Sequence, residues 1–258
     1  MRTIKEIFEY RQMISGLVKR DLRGRYKGSV FGFLWTFFNP LLQLLVYTFV
    51  FQYILRQGID KYYLFLFVAL IPWLFFATSV SAGSSCVLAQ KGMVSKIYFP
   101  REILPISHVT SAFVNMLYSF IILFIVVVFS GVPINFIALL YLRVIMIVEY
   151  ILALGITMIV SSLTVFFRDL EYIMGILVIA WQFLTPIMYD ISIVPDSLKS
   201  IYMINPMTPV TIAYRDILYN SAIPKMETLL MALGMGVAFL IIGFFVFGKL
   251  KKRFAEEL

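Results

Sequence analysis

The sequence predicts an all-α integral membrane protein with six transmembrane helices. An amphipathic N-terminal interface helix precedes the first, and re-entrant helices lie between spans five and six. Three observations predict it. Charge is missing over stretches as long as a bilayer crossing: residues 30–55 carry none, and neither do residues 109–142. The chain is 61% hydrophobic and 14% charged, with a mean hydropathy of +0.92, where a soluble domain carries about 25% charge. Finally, backbone polar groups in lipid must be satisfied within the segment, which makes long apolar runs helices. At about 1.5 Å per residue, roughly 20 residues cross a hydrocarbon core about 30 Å thick.

Residues 2–22 come first. At helical spacing Ile4, Ile7, Phe8, Ile14, Val18 and Leu22 share one face, with Arg2, Lys5, Glu9, Lys19 and Arg20 opposite. Such a helix lies in the membrane surface, either as a topology anchor or as a moving element that links a cytoplasmic partner to the first span. The spans follow at about 30–55, 62–86, 106–130, 138–166, 171–190 and 227–248. Arg143, near the start of the fourth, can snorkel to the outer interface. The first apolar run is too long for the h-region of a cleavable signal. No hydrophilic block is long enough to fold apart, so residues 1–258 read as one transmembrane domain. Its parts are a cytoplasmic interface helix within 1–28, an inner connection at 87–105 and an outer segment at 191–225.

Orientation follows from Lys and Arg. With the N-terminus cytoplasmic, the inner side holds the eight from Arg2 to Lys27, Lys91, Lys96, Arg101, Arg168, Lys249, Lys251, Lys252 and Arg253, 16 of the 22. Both termini are then cytoplasmic. The net charge of +8 is accounted for by topology and anionic headgroups, with no nucleic acid partner.

The inner connection 87–105 is cationic and bracketed by Pro100 and Pro105, so a short helix near 91–99 should end at a stiff corner. Its apolar residues Met93, Val94, Ile97, Tyr98 and Phe99 favour a docking helix over an ordinary positive-inside loop. The second inner connection, Phe166 to Glu171, is a tight reversal anchored by Arg168 and Asp169. The stretch 184–225 carries Pro186, Pro195, Pro206, Pro209 and Pro224 among apolar residues. Two short helices dipping into the outer leaflet fit it best, as the outer mouth of a pathway. Tyr189, Tyr202, Tyr214 and Tyr219 should lie at headgroup level.

Enzyme chemistry finds little support. There is no GxxxxGK[ST] phosphate loop, no GxSxG and no HExxH. Asp60, Asp190, Asp196 and Asp216 are scattered rather than paired. Cys86 and His108 are single, which excludes an intrachain disulfide and argues against a protein zinc site. Glu149 is the one intramembrane acid, by default a proton relay or substrate contact. Its partner is either Arg143, which falls on another face of the same helix, or a polar residue of another span or subunit. Trp35, Asn39, Gln43, Tyr47, Gln52, Asn115, Tyr118, Trp181 and Gln182 suit interhelical hydrogen bonding and equally a sugar pathway of aromatic faces and amides.

An ordered set of short motifs then carries a resemblance. It begins with Arg20-Asp21-Leu22-Arg23-Gly24-Arg25-Tyr26-Lys27-Gly28-Ser29, Gly32-Phe33-Leu34-Trp35 and Asn39-Pro40. Phe99-Pro100-Arg101-Glu102-Ile103-Leu104-Pro105 and Phe167-Arg168-Asp169-Leu170 follow. Thr185-Pro186-Ile187-Met188-Tyr189, Asn205-Pro206 and Tyr214-Arg215-Asp216 complete it. The set spans nearly the whole chain and resembles the membrane subunits of type-2 ABC exporters, more narrowly the polysaccharide, O-antigen and teichoic acid export permeases.

The resemblance implies an interface helix at 2–22, a coupling helix at about 91–101 and re-entrant helices at about 191–222. It implies two permease copies with two ABC ATPase subunits, which carry the ATP and magnesium. It also implies an undecaprenyl-diphosphate-linked glycan as cargo and a bacterial cytoplasmic (inner) membrane location. ATPase coupling then falls to Lys91, Met93, Lys96, Tyr98, Arg101 and Glu102, and headgroup attraction to Arg20, Arg23, Arg25 and Lys27. Trp35, Tyr47, Asn115, Tyr118, Glu149, Trp181, Tyr189, Tyr202 and Tyr214 become channel or outer-mouth candidates. No catalytic residue, metal or cofactor is expected on this chain. The alternatives are an exporter of another lipid or a drug, a membrane glycosyltransferase or polymerase, and a solute channel.

Overall fold

The computed structural model describes residues 2–257; the side chains of residues 1–4, 26, 255 and 258 lie outside the described residues, Arg2 and Ile4 of the amphipathic pattern among them. Every regular element among the described residues is helical. The N-terminal segment is two helices rather than one, α1 (Arg2–Glu9) and α2 (Arg11–Tyr26), broken at Tyr10. The face that α2 buries runs through Leu17 and Val18, while Phe8 stays exposed.

Among the described residues, five helical stretches are long and apolar enough to cross a membrane: Gly32–Ile54, Tyr62–Ser85, Ile103–Phe129, Phe136–Thr164 and Met226–Arg253. The first combines a 3-10 turn (Gly32–Leu34), α3 (Trp35–Thr48) and a π-helical turn (Phe49–Ile54). The second is α4 (Tyr62–Ser81), prolonged by a 3-10 turn (Ala82–Ser85). After α5 (Lys91–Val94) come α6 (Ile103–Phe129) and α7 (Phe136–Thr164). Asn135 starts α7 as an N-cap, its side chain accepting from the amides of Ile137 and Ala138.

The fifth expected span, 171–190, is shorter as a helix. α8 (Leu170–Phe183) has 14 residues, about 21 Å at the helical rise. Pro186 explains the end: it offers no N–H, and it pushes Thr185 away from helical dihedrals. The outer segment forms α9 (Asp196–Ile204) and α10 (Met207–Leu218). α11 (Met226–Leu250) follows, then a 3-10 turn (Lys251–Arg253) and α12 (Phe254–Glu257).

The inner connection also differs from expectation. Its helix is the four residues of α5, not 91–99. Ser95 and Ile97 close single turns onto Lys91 and Met93, after which Pro100 forces the chain before it to extend. Pro105 stops nothing. It is the third residue of α6, where the missing N–H has no intrahelical partner to lose.

The core sits around α4 and α7. The most apolar window of α4 is 78% buried and that of α7 72%, against 11% for the first span. α4 is apolar all round, and neighbouring helices enclose most of it. α7 and α11 cross backbone to backbone at Gly155 and Gly243, where a Cβ on Gly155 would fall 2.5 Å from the Leu240 amide nitrogen. Pro40 lies inside α3 and cannot bond the Thr36 carbonyl four residues back. The Ser119 hydroxyl of α6 lies 3.3 Å from that carbonyl and 3.2 Å from the Asn115 carbonyl of its own helix, which share its one proton.

Candidate functional site

The sequence-predicted residues fall into three groups at different depths of the bundle. The first is the corner between α4 and α6. Lys91, Lys96, Ile97 and Tyr98 are exposed, and Tyr98 is 92% accessible, while Met93 is half-buried and Phe99 is sunk in the core. Phe99 and the short turns around it thus hold an aromatic ring and two ammonium groups out in solvent. Glu102 does not belong to that surface. It is 2% exposed, and its Oε1 pairs with Lys251 Nζ. Arg101 is half-buried and donates to the Lys251 carbonyl.

The second group is a polar seam along α6. Ser107, Ser111, Asn115 and Ser119 recur every fourth residue, which puts them on one face. Ser111 donates to Asp21 Oδ2 of α2, which also accepts from Arg25 Nε and Nη2 at 3.2 Å each. Thr36 Oγ1 donates to Asn115 Oδ1 at 3.2 Å. Arg25 therefore turns inward beside Asp21, while Arg20, Arg23 and Lys27 stay exposed. A cavity of about 220 Å³, lined by Arg25, Trp35, Asn39 and Asn115, opens along the seam. A second, of about 520 Å³, lies beside Arg20, Arg25, Gln90 and His108. Trp35 donates to Ser29 Oγ at 2.9 Å, and the Tyr118 ring meets Phe33 edge-on at 5.0 Å. Tyr47 is half-buried against the core.

The third group is the outer segment. Glu149 is wholly buried in α7, and its Oε2 accepts from the Tyr214 hydroxyl at 2.7 Å. Its partner is thus a residue of α10, and Arg143 is exposed elsewhere. Tyr214 correspondingly sits in the core, not at a headgroup level. α9 and α10 bring Tyr202 to Tyr189, hydroxyl to hydroxyl at 3.1 Å, and Asn205 to Trp181, whose indole N–H donates to Asn205 Oδ1 at 2.7 Å.

Two residues not singled out as site candidates organise this end. Asn205 uses all its bonding capacity. Oδ1 also accepts from the Met207 amide, and Nδ2 donates to the Leu184 carbonyl and Thr185 Oγ1. Arg215 is 5% exposed, with its guanidinium carbon 3.6 Å from the Phe65 ring centroid. It donates to the carbonyls of Ile187 at 2.6 Å and Tyr189 at 3.3 Å. Burial pulls Arg215 below its ordinary value, opposed chiefly by the charge of Asp190. Burial alone would raise Asp190, but the hydrogen bonds from Ser192 and the Arg215 charge outweigh it and hold the carboxyl low. The motifs Asn205-Pro206 and Tyr214-Arg215-Asp216 were the only sequence signal for this hub.

Asn205→Ala is expected to remove about 2 kcal/mol of stability, from four modest bonds partly replaced by water. It should also raise amide hydrogen exchange in residues 184–206 well before α4 or α7. Uniform exchange across the chain would show that Asn205 does not pin the segment.

Comparison with known proteins agrees with this architecture. The family described as ABC-2 type transporter matches residues 12–219. An O-antigen export system permease protein RfbA of Myxococcus xanthus is 33% identical over 260 residues, covering 100% of both chains. Two proteins of that same name from Klebsiella pneumoniae are 32% and 30% identical over 242 residues, each covering 94% of this chain and 93% of its own. With its apolar spans, its cationic corner between the second and third of them and a family match over most of its length, the chain belongs to the ABC-2 type transporter family of membrane domains.

Proposed function

We propose that this chain is the membrane-spanning subunit of an ATP-driven exporter that carries a lipid-linked polysaccharide, of the O-antigen class, across a bacterial inner membrane. The observation that carries the reading is the exposed corner of Lys91, Lys96, Ile97 and Tyr98. A ring that is 92% accessible on a backbone fixed by the buried Phe99 gains stability when a partner covers it. The names of the similar proteins supply the cargo class, and the family supplies the ATPase.

In this reading both termini are cytoplasmic, and α8 with the turns after it makes a sixth pass. α1 and α2 lie at the inner interface, and α9 and α10 dip back from the outer side. Two copies of the chain enclose the path, with two ABC ATPase subunits below them that hold ATP and magnesium. Arg20, Arg23 and Lys27, exposed near the inner end of the first span, draw the diphosphate of an undecaprenyl-diphosphate-linked glycan by charge-assisted hydrogen bonds. ATP-driven closure of the partner pushes on the corner and shifts rigid helices.

Depletion of the chain in its host tests the cargo. The lipid-linked glycan should accumulate on the cytoplasmic side while surface polymer is lost. If the intermediate is never made, the chain belongs to synthesis. Tyr98→Ala tests the corner: insertion and thermal stability should stay within about 0.5 kcal/mol of the parent, as for an exposed residue, while export falls at least tenfold. Normal export would remove the corner from the mechanism.

A further inference from the structure

We propose that the turn after α11 with the first residue of α12, Lys251 to Phe254, is a transmission element that locks the docking corner to the last span. The inference rests on the exporter reading above, and it assigns positioning roles to Glu102, Arg101, Lys251 and Phe254.

The contacts run in both directions between two parts of the chain that are far apart in sequence. From the corner, Arg101 donates to the Lys251 carbonyl, and its guanidinium lies 5.9 Å from the Phe254 ring centroid. From the tail, Lys251 Nζ pairs with Glu102 Oε1. Phe254 is wholly buried and meets the Phe247 ring of α11 edge-on at 5.4 Å. It also meets Phe166, in the turn just past α7, at 6.3 Å. Arg253 lies over the other side of that joint, 5.5 Å from the Phe166 ring centroid. The joint therefore touches α6, α7 and α11 at one end of the bundle, three and four residues beyond Tyr98.

Its chemistry suits a rigid link better than a surface tether. Glu102 is 2% exposed, and its second oxygen, Oε2, has no partner among the described residues, so Lys251 is the side chain that compensates the buried carboxylate. With the carboxylate buried and the Lys251 side chain 30% exposed, the pair is less open to salt screening than one between two surface groups. Past the joint, α11 lies backbone to backbone with α7 at Gly155 and Gly243, so those two helices cannot slide independently. A push at Tyr98 consequently reaches α6 directly and reaches α7 and α11 through the joint. Without the joint, α6 would pass it on chiefly through its side-chain packing against α2, α4 and α7.

The test uses the assembled transporter, this chain with its ATPase partner, in cells and as purified complex in liposomes. ATP hydrolysis by the complex and the host's surface polysaccharide on intact cells are measured in parallel. Lys251→Glu should lower export at least tenfold while hydrolysis stays within about twofold, and the swap Glu102→Lys with Lys251→Glu should restore export to within threefold of the parent. Equal losses of export and hydrolysis would reduce the joint to a structural tie and overturn the proposal, as would unchanged export or uncoupling that the swap does not relieve. Should Lys251→Glu fail to accumulate in the membrane, Lys251→Gln is read by the same two measurements and the same criteria. If the parent complex exports no polysaccharide, the exporter reading is what fails.

Discussion

Gly155→Ala is expected to leave little folded protein in the membrane. The added Cβ would lie 2.5 Å from the Leu240 amide nitrogen, 2.5 Å from the Phe239 carbonyl carbon and 2.6 Å from its oxygen. None of these atoms can swing aside, because all are helix backbone. Overpacking that side chains can absorb costs about 1–3 kcal/mol. Here two helices must separate along their length, so the loss should exceed roughly 3 kcal/mol, and the helical preference of Ala over Gly, about 1 kcal/mol, does not offset it. Gly234 lies on the same helix as Gly243, with open space around it, and Gly234→Ala should be neutral or stabilising by up to about 1 kcal/mol. Thermal unfolding in detergent separates the two, and equal melting temperatures would mean that α7 and α11 are not in backbone contact.

Arg215→Met should unpin the outer segment while the spans remain. The guanidinium caps the carbonyls of Ile187 and Tyr189 in the turn after α8, and the Tyr62 hydroxyl donates to Met188 between them at 2.8 Å. Removing the fork leaves one buried and one half-buried carbonyl without that donor, at roughly 1–3 kcal/mol for the buried one and less for the other, so a loss of about 2–3 kcal/mol is expected. Arg215→Lys should recover little. A single ammonium cannot span both carbonyls, and it is more strongly hydrated than the guanidinium it replaces. Limited proteolysis between residues 184 and 206 reads the effect directly. Cleavage no faster than in the parent would mean that Arg215 is not the pin.

Long absences of charge made the spans legible in the sequence. Their surroundings were not. The first span and α4 are both almost purely apolar, yet one is 11% and the other 78% buried, because a side chain suited to lipid is equally suited to a protein core. The short helix at α8 was harder to read, since the apolar run continues past Thr185-Pro186 although the backbone cannot. In the site, local features were readable and distant pairings were not. Tyr98 stands out in solvent by the chemistry of its own segment. Glu102 and Arg101, which share that segment, turn inward to a residue about 150 positions away. Glu149 likewise finds Tyr214 at 65 positions' remove, where only Arg143 lay close enough in sequence to suggest itself.

The seam on α6 has a repeating chemistry, and repetition has a cost in definition. A hydroxyl or amide every fourth residue offers the neighbouring helices nearly the same partner one step along, about 6 Å away at the helical rise. Side-chain bonding of that kind holds helices together without saying where along each other they stop. What is not repeated must say it. Pro40 occurs once, and the carbonyl it cannot bond, on Thr36, lies 3.3 Å from one particular member of the row, Ser119. The alignment of the first span against the third is thus set where an imino ring, the residue type least suited to a helix interior, frees one carbonyl for one hydroxyl of that polar row.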